Sequence, residues 1–179
     1  MGQISEIRFS AEPETLLALS RLFAYPKQRP HDRDLARIFA QAGPVPACPS
    51  LTGLQNRYVS LFINRLPEVP CIPCGSWYLE GTLMGPSTVK LANLYREYGF
   101  ETSEIPDHIC VELEFLAVLS TLVQGSSDSG DTAGPCLIDG LAFVTGHLAA
   151  WTPEFFDRVV SWDEEGFYGA LARACQSLF

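Results

Sequence analysis

Two short segments hold the residue types best suited to chemistry, Cys71-Ile72-Pro73-Cys74 and Glu104-Ile105-Pro106-Asp107-His108. The CxxC spacing can clip a zinc ion or form a redox dithiol. Zinc needs four ligands, however, and no second CxxC or HxxxH exists to complete a set. A redox pair needs a helix N-terminus or basic neighbours to lower a thiol pKa, and the nearby charges are acidic or absent. Two small apolar residues in a tight proline loop are therefore the favoured reading. In the second segment, Asp107 at a helix start can cap backbone N–H groups and also orient the His108 imidazole. A catalytic dyad would need a nucleophile as well. Ser76 follows Cys74-Gly75 without the glycine pattern of a nucleophile elbow, so cap and surface outrank catalysis. Phosphate-cradling GxxxxGK[ST] and GxGxxG loops do not occur. His31 and His147 read as incidental, one after a proline in a loop and one within an amphipathic helix. No catalytic residue, metal ligand or cofactor site is expected.

The elements that position these segments are helical. Pro13 leads into an apolar stripe of Leu16, Leu17, Leu22 and Phe23 that stops at Tyr25-Pro26. A second helix is expected over residues 32–39, before the rigid Gly43-Pro44-Val45-Pro46. A third starts at Ser50 or Thr52 and carries Tyr58 and Phe62 four residues apart on one face. Residues 65–85 break the pattern and read as an extended, stiff loop with the aromatics Trp77 and Tyr78. Helix resumes at Pro86 and closes at Gly99, a residue suited to a left-handed cap. The strongest helix runs over 107–124, about 27 Å at 1.5 Å per residue. The small, polar stretch 125–134 reads as a mobile linker between helices. Pro135 opens the next helix, Thr152-Pro153-Glu154 signals a separate short one holding Phe155 and Phe156, and a last helix spans about 163–178. No segment alternates with period two. The expectation is an all-α, single-domain helical bundle over residues 1–179.

Composition narrows the partners. The 179 residues include 47% hydrophobic types and 18% charged, with 12 Lys+Arg against 21 Asp+Glu for a net charge of −9. A chain of this size and apolarity folds without a metal or disulfide staple. Only Lys27 and Lys90 are lysines, which speaks against nucleic acid and anionic membrane surfaces. Residues 1–8 lack a basic stretch followed by an apolar one, and no window approaches eighteen uninterrupted apolar residues, so a cytoplasmic location without membrane insertion is expected. The six cysteines are then expected to be reduced thiols.

One ordered set of motifs has a familiar form. Tyr58-x-x-Leu61-Phe62, then Pro70 and Pro73, then Gly75-Ser76-Trp77-Tyr78, and some 25 residues later Glu104-x-Pro106-Asp107-His108, resembles the TorD/DmsD/NarJ family of redox-enzyme maturation chaperones. Leu83-Met84-Gly85-Pro86-Ser87-Thr88 and Tyr95-x-x-Tyr98-Gly99-Phe100 are similar to the family's linking segment. The likeness is at motif level over about residues 54–119. It implies a cytoplasmic, non-catalytic chaperone that binds the twin-arginine signal peptide of a molybdenum or tungsten oxidoreductase subunit. The subunit, still without cofactor, would be held back from export. The resemblance carries peptide-binding roles to Tyr58, Phe62, Pro73, Ser76, Trp77, Tyr78, Glu104, Pro106, Asp107 and His108. Cys74 departs from the pattern, which commonly has an aromatic or larger residue before the Gly-Ser pair. The Cys71/Cys74 pair stands outside it.

The residue chemistry suits such a peptide. A basic stretch beside an apolar one calls for an aromatic groove next to carboxylates that take Arg in bidentate fashion, and Trp77, Tyr78, Glu104 and Asp107 offer both. Tyr58, Leu61 and Phe62, at helical spacing, read as core that shapes the pocket from behind. Two other readings stay open: a helical adaptor for a folded partner, and a CxxC zinc or redox protein. A monomer is expected, or a dimer that exchanges helices through 125–134.

Overall fold

The computed structural model describes residues 12–40, 42–128 and 133–177. Among them are eight α-helices and no strand, as the all-α expectation requires. They are α1 (Pro13–Phe23), α2 (Asp32–Phe39), α3 (Leu51–Tyr58), α4 (Gly75–Glu80), α5 (Pro86–Glu97), α6 (Ile109–Asp128), α7 (Pro135–Trp162) and α8 (Phe167–Gln176). α6 is the central element, packed between α1 and α7, while α8 lies on α7 and α4 docks on α7. α6 has the length and apolarity to cross a membrane, but half of that stretch is buried inside the bundle.

Several expected boundaries shift, each for a local reason. Tyr58 ends α3, and Val59–Ile63 forms a π-helical turn closed by Asn64 N–H on the Val59 carbonyl. That widened turn leaves the Leu61 carbonyl free to accept from Cys71 N–H at 3.1 Å, which ties the proline-rich loop to the bundle. Within the expected loop, Gly75–Glu80 is helical rather than extended. The expected short helix after Thr152 is instead continuous with α7, and Pro153 sits inside it. Leu148, Trp151, Thr152, Phe155, Phe156 and Val159 bury one unbroken stripe there. Burial at about 1.5–3 kcal/mol per large side chain outweighs the ~3 kcal/mol cost of an interior proline.

α6 starts two residues later than expected, because Asp107 and His108 pair with the loop before α4. It also runs further, through Asp128. The first four residues of the expected linker, 125–128, are therefore helix, and there the Ser126 and Ser127 hydroxyls donate to the Leu122 and Val123 carbonyls. Residues 129–132 of that linker lie outside the described residues. α8 begins at Phe167 rather than 163, since Asp163 serves as its cap and accepts from Tyr168 and Gly169 N–H at 2.9 and 3.1 Å. Gly99 does adopt the left-handed conformation, with φ +63°.

Candidate functional site

The two motif segments, some thirty residues apart, are stitched side by side. Cys74 and His108 form an isolated antiparallel bridge. Gly75 N–H donates to the Asp107 carbonyl and Ile109 N–H to the Pro73 carbonyl, both at 2.9 Å. The Asp107 carboxylate accepts from Ser76 N–H at 2.6 Å. It therefore caps the first turn of α4 and neither caps α6 nor contacts the His108 imidazole. Tyr95 anchors the segment from α5 by donating to the Pro106 carbonyl at 2.7 Å.

His108 is buried and takes one tautomer. Its Nδ1 accepts from Cys110 N–H at 3.2 Å, so the ring proton is on Nε2, which faces the Tyr58 hydroxyl at 3.4 Å. Tyr58 in turn donates to the Phe23 carbonyl at 3.2 Å. Burial lowers the His108 pKa to about 4, against a smaller opposing pull from Asp107. The imidazole is thus neutral at pH 7, a donor and not a cation.

Beside this joint opens a groove of about 400 Å³. Tyr58, Phe62, Ile72, Pro73 and Ile105 give it apolar walls; Ile63 and Leu83 stand exposed on it, and Glu104 and His108 supply its polar groups. Tyr58 and Phe62 meet edge-on with ring centroids 4.9 Å apart. They are almost wholly buried and form the back wall, in contact with the core on one side and the groove on the other. Glu104 is exposed.

Five of the ten residues singled out from sequence line this groove: Tyr58, Phe62, Pro73, Glu104 and His108. The other five occupy different places. Ser76 and Asp107 are fully buried in the joint behind it, so Asp107 presents no carboxylate to solvent. Pro106 is half-buried and serves through its carbonyl. Tyr78 points into the bundle and stacks on Trp151 at 5.5 Å. Trp77 is exposed on α4 and is not among the groove-lining residues.

The CxxC thiols are free and buried. Burial pushes Cys71 up to about 12 and raises Cys74 as well, so neither offers thiolate at neutral pH. No group of three or more His, Cys, Asp or Glu side chains suited to a metal exists among the described residues.

Behind the joint lies a polar cluster that no local sequence pattern announces. Glu112, one turn into α6, accepts from Trp151 Nε1 at 3.2 Å, and its other oxygen is 2.7 Å from His147 Nδ1. All three residues are buried. Gly75 lies directly over them: a Cβ there would stand 2.6 Å from His147 Cε1 and 2.9 Å from Trp151 Nε1. His147 is therefore no incidental residue of an amphipathic helix. Its partner is 35 positions away, and no local spacing connects them.

Residues 31–157 match the family model described as nitrate reductase delta subunit. The chain belongs to that family, the TorD/DmsD/NarJ group its motifs resemble. It is 32% identical over 130 residues to the chaperone protein TorD of Photobacterium profundum, covering 66% of this chain and 59% of that one. With the chlorate reductase assembly chaperone protein of Ideonella dechloratans it shares 30% identity over 151 residues, 80% of this chain and 74% of the relative. A solved structure assigned to redox enzyme maturation, from Archaeoglobus fulgidus, superposes with a TM-score of 0.60 at 29% identity and covers 93% of both chains. The chain spans about three fifths of the length of the TorD relatives it matches. The first two of these relatives are described as chaperones, the second as an assembly chaperone.

Proposed function

We propose that this protein is a cytoplasmic chaperone for a molybdenum or tungsten oxidoreductase subunit, whose twin-arginine signal peptide it binds in the groove beside the Cys74–His108 bridge. The observation that carries this reading is the groove itself. It is an apolar trough with one exposed carboxylate, Glu104, and a neutral imidazole donor, His108, and it forms where the two motif segments meet. An apolar helix or extended segment fills such a trough, and a carboxylate at its edge takes an arginine in bidentate fashion. Holding the signal peptide keeps the subunit from export until its cofactor is in place. Fluorescence anisotropy with a labelled, N-acetylated peptide bearing paired arginines and an apolar stretch tests the reading. Micromolar or tighter binding is expected, weaker when both arginines become lysines, because a lysine cannot reproduce the bidentate contact. No measurable binding would refute it.

A further inference from the structure

We propose that Glu112 and His147 are positioning residues of the groove: they share a proton that keeps the α6–α7 seam net neutral behind the Cys74–His108 bridge, and client affinity follows the occupancy of that proton. This rests on the reading of the groove as a peptide site. The geometry is that of a wedge. Glu112 N–H donates to the His108 carbonyl at 3.1 Å, so the carboxylate is one helical turn from the groove's imidazole. His147 and Trp151 hold that carboxylate from α7. The first turn of α4 rests on the same two rings at Gly75, with no space for a methyl group. A change in the α6–α7 spacing at this point moves Gly75, and with it Pro73 and Cys74, which line the groove.

The pair is set up to hold one proton beyond its hydrogen bond. The titratable groups facing it are Asp107 before α6, Glu80 at the end of α4, Cys74 at the start of α4, and Tyr95 on α5. Asp107 and Glu80 are carboxylates, and both favour a protonated His147. Burial raises the Glu112 pKa above the usual carboxylate range, opposed by its hydrogen bond to His147. Burial works most strongly against the imidazolium, yet Glu112, Asp107 and Glu80 together outweigh it and raise His147. Both shifts mean that the folded state binds more protons than the unfolded one. Losing the proton as pH rises leaves His147 Nδ1–H and Trp151 Nε1–H donating to an unneutralised carboxylate, a buried net charge close to the Asp107 side chain. His147 Nε2, Ser76 Oγ and the second Asp107 oxygen, all buried without a protein partner, offer it no compensation.

The test is the dissociation constant of the acetylated twin-arginine peptide from pH 6 to 8.5, for wild type and Glu112→Gln. Wild type is expected to weaken on the order of tenfold, the effect of one pKa unit of difference between free and bound protein. Glu112→Gln is expected to give a flat profile, since without the carboxylate burial keeps the His147 ring neutral across this range while the amide oxygen still accepts from Trp151. It retains every other titrating residue, so the difference isolates the pair. A flat wild-type profile, or the same slope in both, overturns the proposal. ¹⁵N shifts of the wild-type His147 ring provide a readout that needs no variant: an imidazole that stays neutral throughout this range also overturns it. Absence of peptide binding at every pH, with an unfolding stability that still falls with pH in wild type alone, instead sinks the assignment of the groove to a peptide.

Discussion

His108 sets a quantitative pH test of the groove. The ring is held neutral, with a pKa of about 4 against 6.5 for an ordinary histidine, chiefly through burial. A folded-state pKa below the unfolded one means that the associated stability is fully present above pH 6.5 and is lost as pH falls toward 4. Between pH 7 and 4.5 the linkage relation gives a loss of about 2 kcal/mol from this one residue. Glu112 and His147 titrate in the opposite sense and remain in a His108→Gln variant, so comparing the variant with wild type cancels them. Urea unfolding followed by tryptophan fluorescence at pH 7 and pH 4.5 gives both stabilities. Wild type should lose about 2 kcal/mol more than His108→Gln over this interval. A difference below about 0.5 kcal/mol, the scatter of ordinary surface substitutions, would refute the buried neutral tautomer and its hydrogen bonds.

Further substitutions address other parts of the account. Gly75→Ala forces a methyl group onto His147 and Trp151 and should destabilise by about 1–3 kcal/mol, read as a lowered thermal midpoint; an unchanged midpoint would mean that α4 does not rest where described. Glu104→Gln should weaken the twin-arginine peptide by about tenfold without altering stability, as expected for loss of one charge-assisted contact of about 1.5 kcal/mol. Trp77→Ala, at an exposed side chain outside the groove, should leave peptide affinity within about twofold of wild type, which corresponds to about 0.4 kcal/mol; a large loss would extend the site onto α4. In thiol titration of the native protein, exposed Cys136 should react at once, whereas Cys71, Cys74, Cys110 and Cys175 should react only on unfolding; rapid labelling of Cys71 or Cys74 would reopen a redox role for the CxxC.

What could be read from the sequence follows from the range of the forces involved. Helix starts at Pro13, Pro86 and Pro135 are local, since the ring fixes φ and gives up an N–H that is unpaired anyway, and all three lie at the first helical position. Pro153 carries the same local signal yet lies inside α7, because the stripe from Leu148 to Val159 is buried by tertiary contacts that a short window does not contain. Tyr58, Phe62 and Pro73 could be placed beside His108 only through the motif resemblance. The stitching itself is backbone pairing between segments some thirty residues apart. Asp107 shows the limit most sharply. Its position before a helix suggests a cap for that helix, but its carboxylate caps α4 instead. The meeting of Glu112, His147 and Gly75 had no legible signal, as it is a contact between three helices.

The most direct test of the central claim is photo-crosslinking of a twin-arginine signal peptide with a benzophenone in its apolar stretch. After proteolysis, crosslinks should map to residues 24–25, 58–63, 69–74, 83 and 104–110, which line the groove, and excess unlabelled peptide should abolish them. Crosslinks concentrated instead in the hollow between α5 and α7 around Lys90 and Phe143, or insensitive to unlabelled peptide, would contradict it.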